Sequence, residues 1–126
     1  MESIISGVTS ELLGKALDVC VSTGRVLSNN VANSGSAGFR ASKVDFDALF
    51  ETTRTAVVEG DVGEIRSAVR SVDAQTLPVK PQQDETVSLD QSMVELTENT
   101  LRYHALVDMR KGLSSLMKIA IMGSKR

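Results

Sequence analysis

Residues 88–121 read SLDQSMVELTENTLRYHALVDMRKGLSSLMKIAI, and this stretch decides the fold. Leu89, Met93, Leu96, Thr100 and Tyr103 recur at spacings of four, three, four and three. After a one-residue shift in phase the stripe continues as Leu106, Met109, Leu113, Leu116 and Ala120. Such a shift keeps one face of a 3.6-residue helix on a straight partner. Ser88 and Gln91 have capping-box spacing, and Asp90 falls in the first turn, where the helix dipole favours an acid. Lys118 lies in the last turn and Gly123 follows. The spacing predicts one long helix over 88–121.

A second helix is predicted over 2–33. Leu13, Leu17, Cys20, Gly24, Leu27 and Val31 are spaced four, three, four, three and four, the a/d pattern of a coiled coil. A neighbouring row of Ile5, Leu12, Val19 and Val26 repeats every seven residues and widens the stripe. Gly24 weakens the helix by roughly 1 kcal/mol relative to Ala, and equally gives a partner backbone room to approach. Asn29, Asn30, Asn33, Ser34 and Gly35 form a poor helix and a natural stop. Each helix is ~45–50 Å long at 1.5 Å per residue, so the two match in length and are expected side by side. Two helices cannot bury both wide stripes, and the missing surfaces are assigned to other chains. The expected fold is therefore mainly α: long N- and C-terminal helices packed side by side in a multi-chain coiled-coil-like bundle, with a loosely structured middle segment. The expected helix seam comprises Leu13, Leu17, Leu27, Leu96, Tyr103, Leu106, Leu113 and Leu116.

The chain divides accordingly into an N-terminal assembly helix at 1–33, a middle segment at 34–87 and a C-terminal assembly helix at 88–126. The middle segment holds both prolines, Pro78 and Pro81. Phe46, Leu49, Phe50, Thr53 and Val57 share a face, which predicts a short helix over 45–58 with Asp45 and Asp47 as cap and dipole partner. Residues 65–74 are expected to be extended, and 77–83 to form a proline-containing connector.

Composition narrows the function. The 126 residues are 41% hydrophobic, which suits one folded domain, but only 3% aromatic, too few rings for a pocket-lined core. A net charge of −2 provides no field for nucleic acid or an anionic membrane. Cys20 is the only cysteine, so no intrachain disulfide forms, and its seam position suits a small buried hydrophobe. His104 stands beside the stripe without a second histidine or thiol near it in sequence. The run from Ser34 to Gly38 matches no nucleotide fingerprint. No catalytic residue, metal ligand, cofactor site or small-molecule ligand is expected. No secretory signal of the usual kind and no spanning segment of ~20 apolar residues is evident.

Two motifs point to a family. Leu27-Ser28-Asn29-Asn30-Val31-Ala32-Asn33, followed by Gly38-Phe39-Arg40-Ala41, resembles the N-terminal signature of the flagellar rod and hook axial proteins. The run Met93 to Tyr103, with Glu98-Asn99-Thr100-Leu101-Arg102-Tyr103 at its end, resembles the C-terminal helix of the family's proximal-rod members. Asp45-Phe46 is similar to the family's post-turn segment, and Ala37 stands where the family usually has proline. The resemblance covers about two-thirds of the chain and is strongest at its ends.

The resemblance implies a structural subunit of the proximal rod of the flagellar basal body. Such a subunit would polymerise through its terminal helices, transmit torque, wall the export channel and be needed for motility. It implies a periplasmic location reached through the flagellar type III system without a cleaved signal. The implied partners are other copies of the chain, rod proteins of the FlgC, FlgF and FlgG types, the adaptor FliE, export-gate proteins of the FliP and FliR types and the MS-ring protein FliF. Asn30, Asn33, Gly38 and Phe39 would form an assembly turn, with Gly38 taking positive φ and Phe39 anchoring it. Phe46-Asp47-Ala48-Leu49-Phe50 resembles the gate-recognition motif of early export substrates, with Phe46 and Phe50 one helical turn apart. The competing reading is a cytoplasmic helical adaptor that donates helices to a partner.

Overall fold

The computed structural model describes residues 2–82 and 88–124. Its elements in chain order are α1 (Glu2–Asn33), β1 (Ser42–Val44), α2 (Phe46–Glu59), α3 (Val62–Ser71), β2 (Val79–Pro81) and α4 (Leu89–Ser124). The two long helices run antiparallel, because Gly24 of α1 lies beside Asn99 of α4 while Gly14 lies beside Arg110. Both terminal helices form where the apolar repeats place them. At the start of α4 the Gln91 backbone N–H donates to Ser88 Oγ at 3.2 Å, while the Gln91 side chain turns forward to Glu95 rather than back to the cap.

α1 is the spine of the molecule. One side packs on α4, and another receives α3 and β1. The two apolar rows of α1 divide this work. Leu17 and Cys20 belong to the row that meets α4. Val19, from the neighbouring row, is buried in a small core with Val72 and Ala74, flanked by Leu49, Phe50 and Leu77. Val19 of the second row thus docks the middle segment instead of widening the seam with α4.

The middle segment is more regular than its composition suggests. The short helix expected over 45–58 is α2, with the Asp45 carboxylate accepting from the Ala48 backbone N–H and Asp47 in the first turn. It ends at Gly60, whose φ of 81° is left-handed and closes the helix through a 3.0 Å bond to the Ala56 carbonyl.

The extended structure expected at 65–74 is a mistake: most of that stretch belongs to α3. Asp61 caps α3 by accepting from the Gly63 N–H at 3.1 Å, and Ala68 and Val69 are buried on its inner face. Ten residues are too few for a helix to hold itself, and α3 is stabilised by what it docks against. Lys15 of α1 donates to the Val72 carbonyl at 2.6 Å, placing a cation at the C-terminal end of α3. Arg70 grips Glu11 with two bonds, of 2.8 and 3.1 Å. The cap and the spacing of Ile65, Val69 and Val72 are local signals of the helix, but the ties to Lys15 and Glu11 that hold so short a helix are not local in sequence.

The extended connector expected at 77–83 holds more order than a plain linker. Within it, Val79–Pro81 is a strand, paired antiparallel with β1 so that Ser42 faces Pro81, Lys43 faces Lys80 and Val44 faces Val79. Bonds of 2.8 Å from Asp45 N–H to the Pro78 carbonyl and 2.9 Å from Gln82 N–H to the Ala41 carbonyl extend the pairing. Pro81 is tolerated at the end of a two-stranded ribbon, where its missing donor is not needed. Gln83, the last residue of the expected connector, lies outside the described residues.

The docking of α3 predicts an acid limit. The Arg70 guanidinium holds the Glu11 carboxyl below its ordinary value, and the Gln75 and Thr76 backbone N–H groups do the same for Asp73. A carboxyl depressed in the folded state stabilises above its unfolded value and loses that contribution as pH falls through its folded value. Glu64 is pushed up by its hydrogen bond to Glu59 and so contributes with the opposite sign. Comparison with a double variant, Glu11→Gln with Asp73→Asn, isolates the first two groups. The urea midpoint of the parent is expected to drop more steeply than that of the variant below about pH 4. Parallel curves would show that these carboxylates do not couple to folding.

Candidate assembly interface

The seam between α1 and α4 is polar at one end and aliphatic at the other. Ser92, Asn99, Leu106 and Leu113 are seven residues apart and form the row of α4 nearest α1. Ser92 and Asn99 are buried, while Leu106 and Leu113 are half-buried. From α1, Leu17 is buried and Leu13 and Leu27 are half-buried. Leu96 is half-buried beside the row, Tyr103 stands at the margin with its ring edge-on to His104 at 5.9 Å, and Leu116 is 66% exposed. Sequence reading followed the apolar residues of the first half of α4 and so missed Ser92 and Asn99. The signal was present: counting back by sevens from Leu113 and Leu106 gives Asn99 and Ser92.

Asn99 crosses the seam. Its Nδ2 donates to the Cys20 carbonyl at 2.9 Å, and a Cβ added to Gly24 would stand 3.3 Å from that nitrogen. Gly24 therefore admits a side-chain amide, where a close backbone was the alternative. Neither Asn99 Oδ1 nor Ser92 Oγ has a protein partner among the described residues. An open groove of about 630 Å³ runs beside this point, lined by Val21, Arg25 and Ser28 of α1 and Leu96, Thr100 and Tyr103 of α4.

The turn after α1 combines two kinds of contact. Asn30 is only 2% exposed, and its amide bonds both backbone groups of Ser42. Nδ2 donates to the Ser42 carbonyl at 2.8 Å, and Oδ1 accepts from the Ser42 N–H at 3.0 Å. Asn30 thus imitates a neighbouring strand and fastens β1 to α1. Asn33 instead donates to the carbonyl and side chain of Asn29, one turn back, while its own carbonyl receives the Ser36 N–H. Gly38 has the positive φ expected of it, 75°, and Phe39 is half-buried with its N–H on the Ser36 carbonyl at 3.2 Å.

Phe46 and Phe50 have different surroundings. Phe50 packs against the core of Val19, Val72 and Ala74, whereas Phe46 opens α2 and is 38% exposed. The more extensive bare apolar surface is on α4. Leu101, Met109, Ile119, Ile121 and Met122 are all largely exposed, along with Leu116. Among the described residues the α4 backbone approaches α1 and no other element. Among the described residues no group of three or more His, Cys, Asp or Glu side chains could hold a metal ion, and no helix is long and apolar enough to cross a membrane. Burial pushes the Cys20 thiol up, away from the reactive thiolate.

The Asn30 tie predicts a local effect. Asn30→Ala leaves the Ser42 N–H and carbonyl without their partner, and is expected to cost about 1–3 kcal/mol by denaturant titration. The Ser42 amide should then exchange faster than that of Ala48. Unchanged stability and exchange would remove Asn30 from the list of structural ties.

No family model matches the chain. It is 29% identical to the flagellar basal body rod protein FlgB of Bacillus subtilis (strain 168), over 98% of this chain and 99% of that protein. The alignment covers nearly the whole chain, so it includes the turn motif after α1, the middle segment and nearly all of α4. That name is of a rod protein and of no enzyme. By this full-length likeness, together with the two long terminal helices around a small middle unit, the chain is a relative of the flagellar basal body rod protein FlgB.

Proposed function

We propose that this chain is a structural subunit of the proximal rod of the bacterial flagellar basal body, polymerising through α1 and α4. The observation that carries the reading is the bare outer surface of α4. A 36-residue helix whose backbone approaches only α1 among the described residues carries Leu101, Met109, Leu116, Ile119, Ile121 and Met122 largely exposed. Covering each such side chain would gain a large share of the roughly 1.5–3 kcal/mol that full burial is worth. Neighbouring subunits that supply further helices would cover them, and the full-length likeness to a rod protein supports that partner over a cytoplasmic adaptor.

In this role the rod transmits torque and walls the export channel. Load would be shared by many small contacts along each helix. The neighbours are other copies of the chain, rod proteins of the FlgC, FlgF and FlgG types, the adaptor FliE, the FliP and FliR gate proteins and the MS ring formed by FliF. The subunit would reach the periplasm through the flagellar type III system. Phe46 is the better placed of the two rings to meet the export gate in the folded chain, since Phe50 already serves the core. Gate recognition of an unfolded chain would use both. The turn from Asn30 to Phe39 would set how the terminal helices enter the assembly.

Leu116→Asp tests the assembly surface without touching the fold, because Leu116 is exposed. The variant is expected to be made and exported at the parent level, to be missing from purified basal bodies by mass spectrometry, and to abolish swimming. Normal swimming with the variant would remove this face of α4 from the rod. For export, Phe46→Ala is expected to lower secretion several-fold in a strain lacking the rod, while Leu116→Asp does not. Equal secretion of both would leave Phe46 with no role in export.

A further inference from the structure

We infer that Asn99, seated over Gly24, sets the axial register of α4 on α1, and that this buried amide is kept for uniqueness of pairing at the expense of stability. α4 needs such a device, because among the described residues its backbone approaches no element but α1. The rest of the contact is poor at fixing register. The α1 row of Leu13, Leu17, Cys20, Gly24, Leu27 and Val31 repeats every seven residues, and so does the α4 row of Ser92, Asn99, Leu106 and Leu113. The aliphatic members of the two rows, Leu106 and Leu113 of α4 and Leu13, Leu17, Leu27 and Val31 of α1, meet almost as well after one helix slides by a heptad.

Asn99 removes that degeneracy. In the observed register its Nδ2 reaches the Cys20 carbonyl at 2.9 Å, passing over the one residue of the row that has no side chain. A slide of seven residues either way brings Asn99 opposite Leu17 or Val31. There a branched side chain occupies the space, and the amide would be buried without a partner. The cost is visible in the observed register itself. Asn99 is 6% exposed and its Oδ1 has no protein partner among the described residues. An aliphatic residue there would pack without an orphaned oxygen, so stability alone does not account for an amide.

The register matters beyond the pair. It decides which exposed residues of α4 stand level with the two ends of α1, and so fixes one outer surface rather than several related by slides. Asn99 in this account is a positioning residue that acts through the pairing.

The test reads register and stability separately. Spin labels are attached to ketone-bearing residues introduced at the exposed positions Asp18 and Lys118, which leaves Cys20 native. Pulsed electron resonance then measures the distance between α1 and α4 in the full chain. The parent is expected to show one narrow distance. Asn99→Leu is expected to show additional populations, displaced along the axis by about 10 Å for each seven-residue slide, while its melting temperature stays level or rises. Gly24→Ala, which crowds the amide, is expected to broaden the distribution in the same direction. A single unchanged distance in Asn99→Leu would overturn the assignment, as would a parent chain with no defined distance. A lower melting temperature with the register intact would make Asn99 an ordinary stabilising contact and would equally overturn it.

Discussion

Most of what holds this molecule together passes through α1, a helix used on two sides. One heptad row meets α4, and the adjacent row, through Val19, meets the small core of the middle segment. Burial of that core draws α2, α3 and the β-ribbon onto α1, and polar ties fix their positions. Lys15 holds the end of α3, Glu11 holds Arg70, and Asn30 holds β1. Disruption of α1 would release both α4 and the middle segment, because among the described residues the α4 backbone approaches no other element and the middle segment packs as a unit on α1.

The arrangement leaves the molecule unequal at its two faces. Around α1 and the middle segment, small residues such as Ala41, Ala56, Ala68, Val69 and Ala74 fill the interior closely. On the far side of α4, long aliphatic side chains lie bare. A chain that folded only for itself would place polar residues there, so the uneven surface is what makes an assembling subunit the fitting reading. The charged residues that remain on α4, among them Arg102, Asp108, Arg110 and Lys111, are interspersed and keep the bare face divided.

The long helices were legible from sequence because their apolar repeats extend over many turns and because Ser88 and the Asn-rich stretch after Leu27 mark their ends. The short helix α2 was legible from the shared face of Phe46, Leu49, Phe50, Thr53 and Val57, with Asp45 as its cap. Elements whose stability comes from elsewhere in the chain were not. α3 is anchored by Lys15 and Glu11, more than fifty residues away, and carries glycine in its first turn. The three-residue strands depend on each other and on Asn30, whose amide substitutes for a third strand. The seam was half legible. Leu106 and Leu113 followed from periodicity, but Ser92 and Asn99 are polar and do not contribute to an apolar stripe. Asn30 was identified as part of a turn, though its buried tie to Ser42 could not be seen without the fold.

The claim on which the functional account depends is that other chains cover the outer face of α4 in the assembled state. Its most direct measurement compares the reactivity of a cysteine placed at Leu116 in the free chain and in intact basal bodies, using a membrane-impermeant maleimide after purification. Cys20 is buried and provides an internal reference. The account predicts rapid labelling in the free chain and protection by at least an order of magnitude in the basal body. Equal labelling in both states would contradict it, since it would leave the apolar face of α4 uncovered in the structure proposed to bury it.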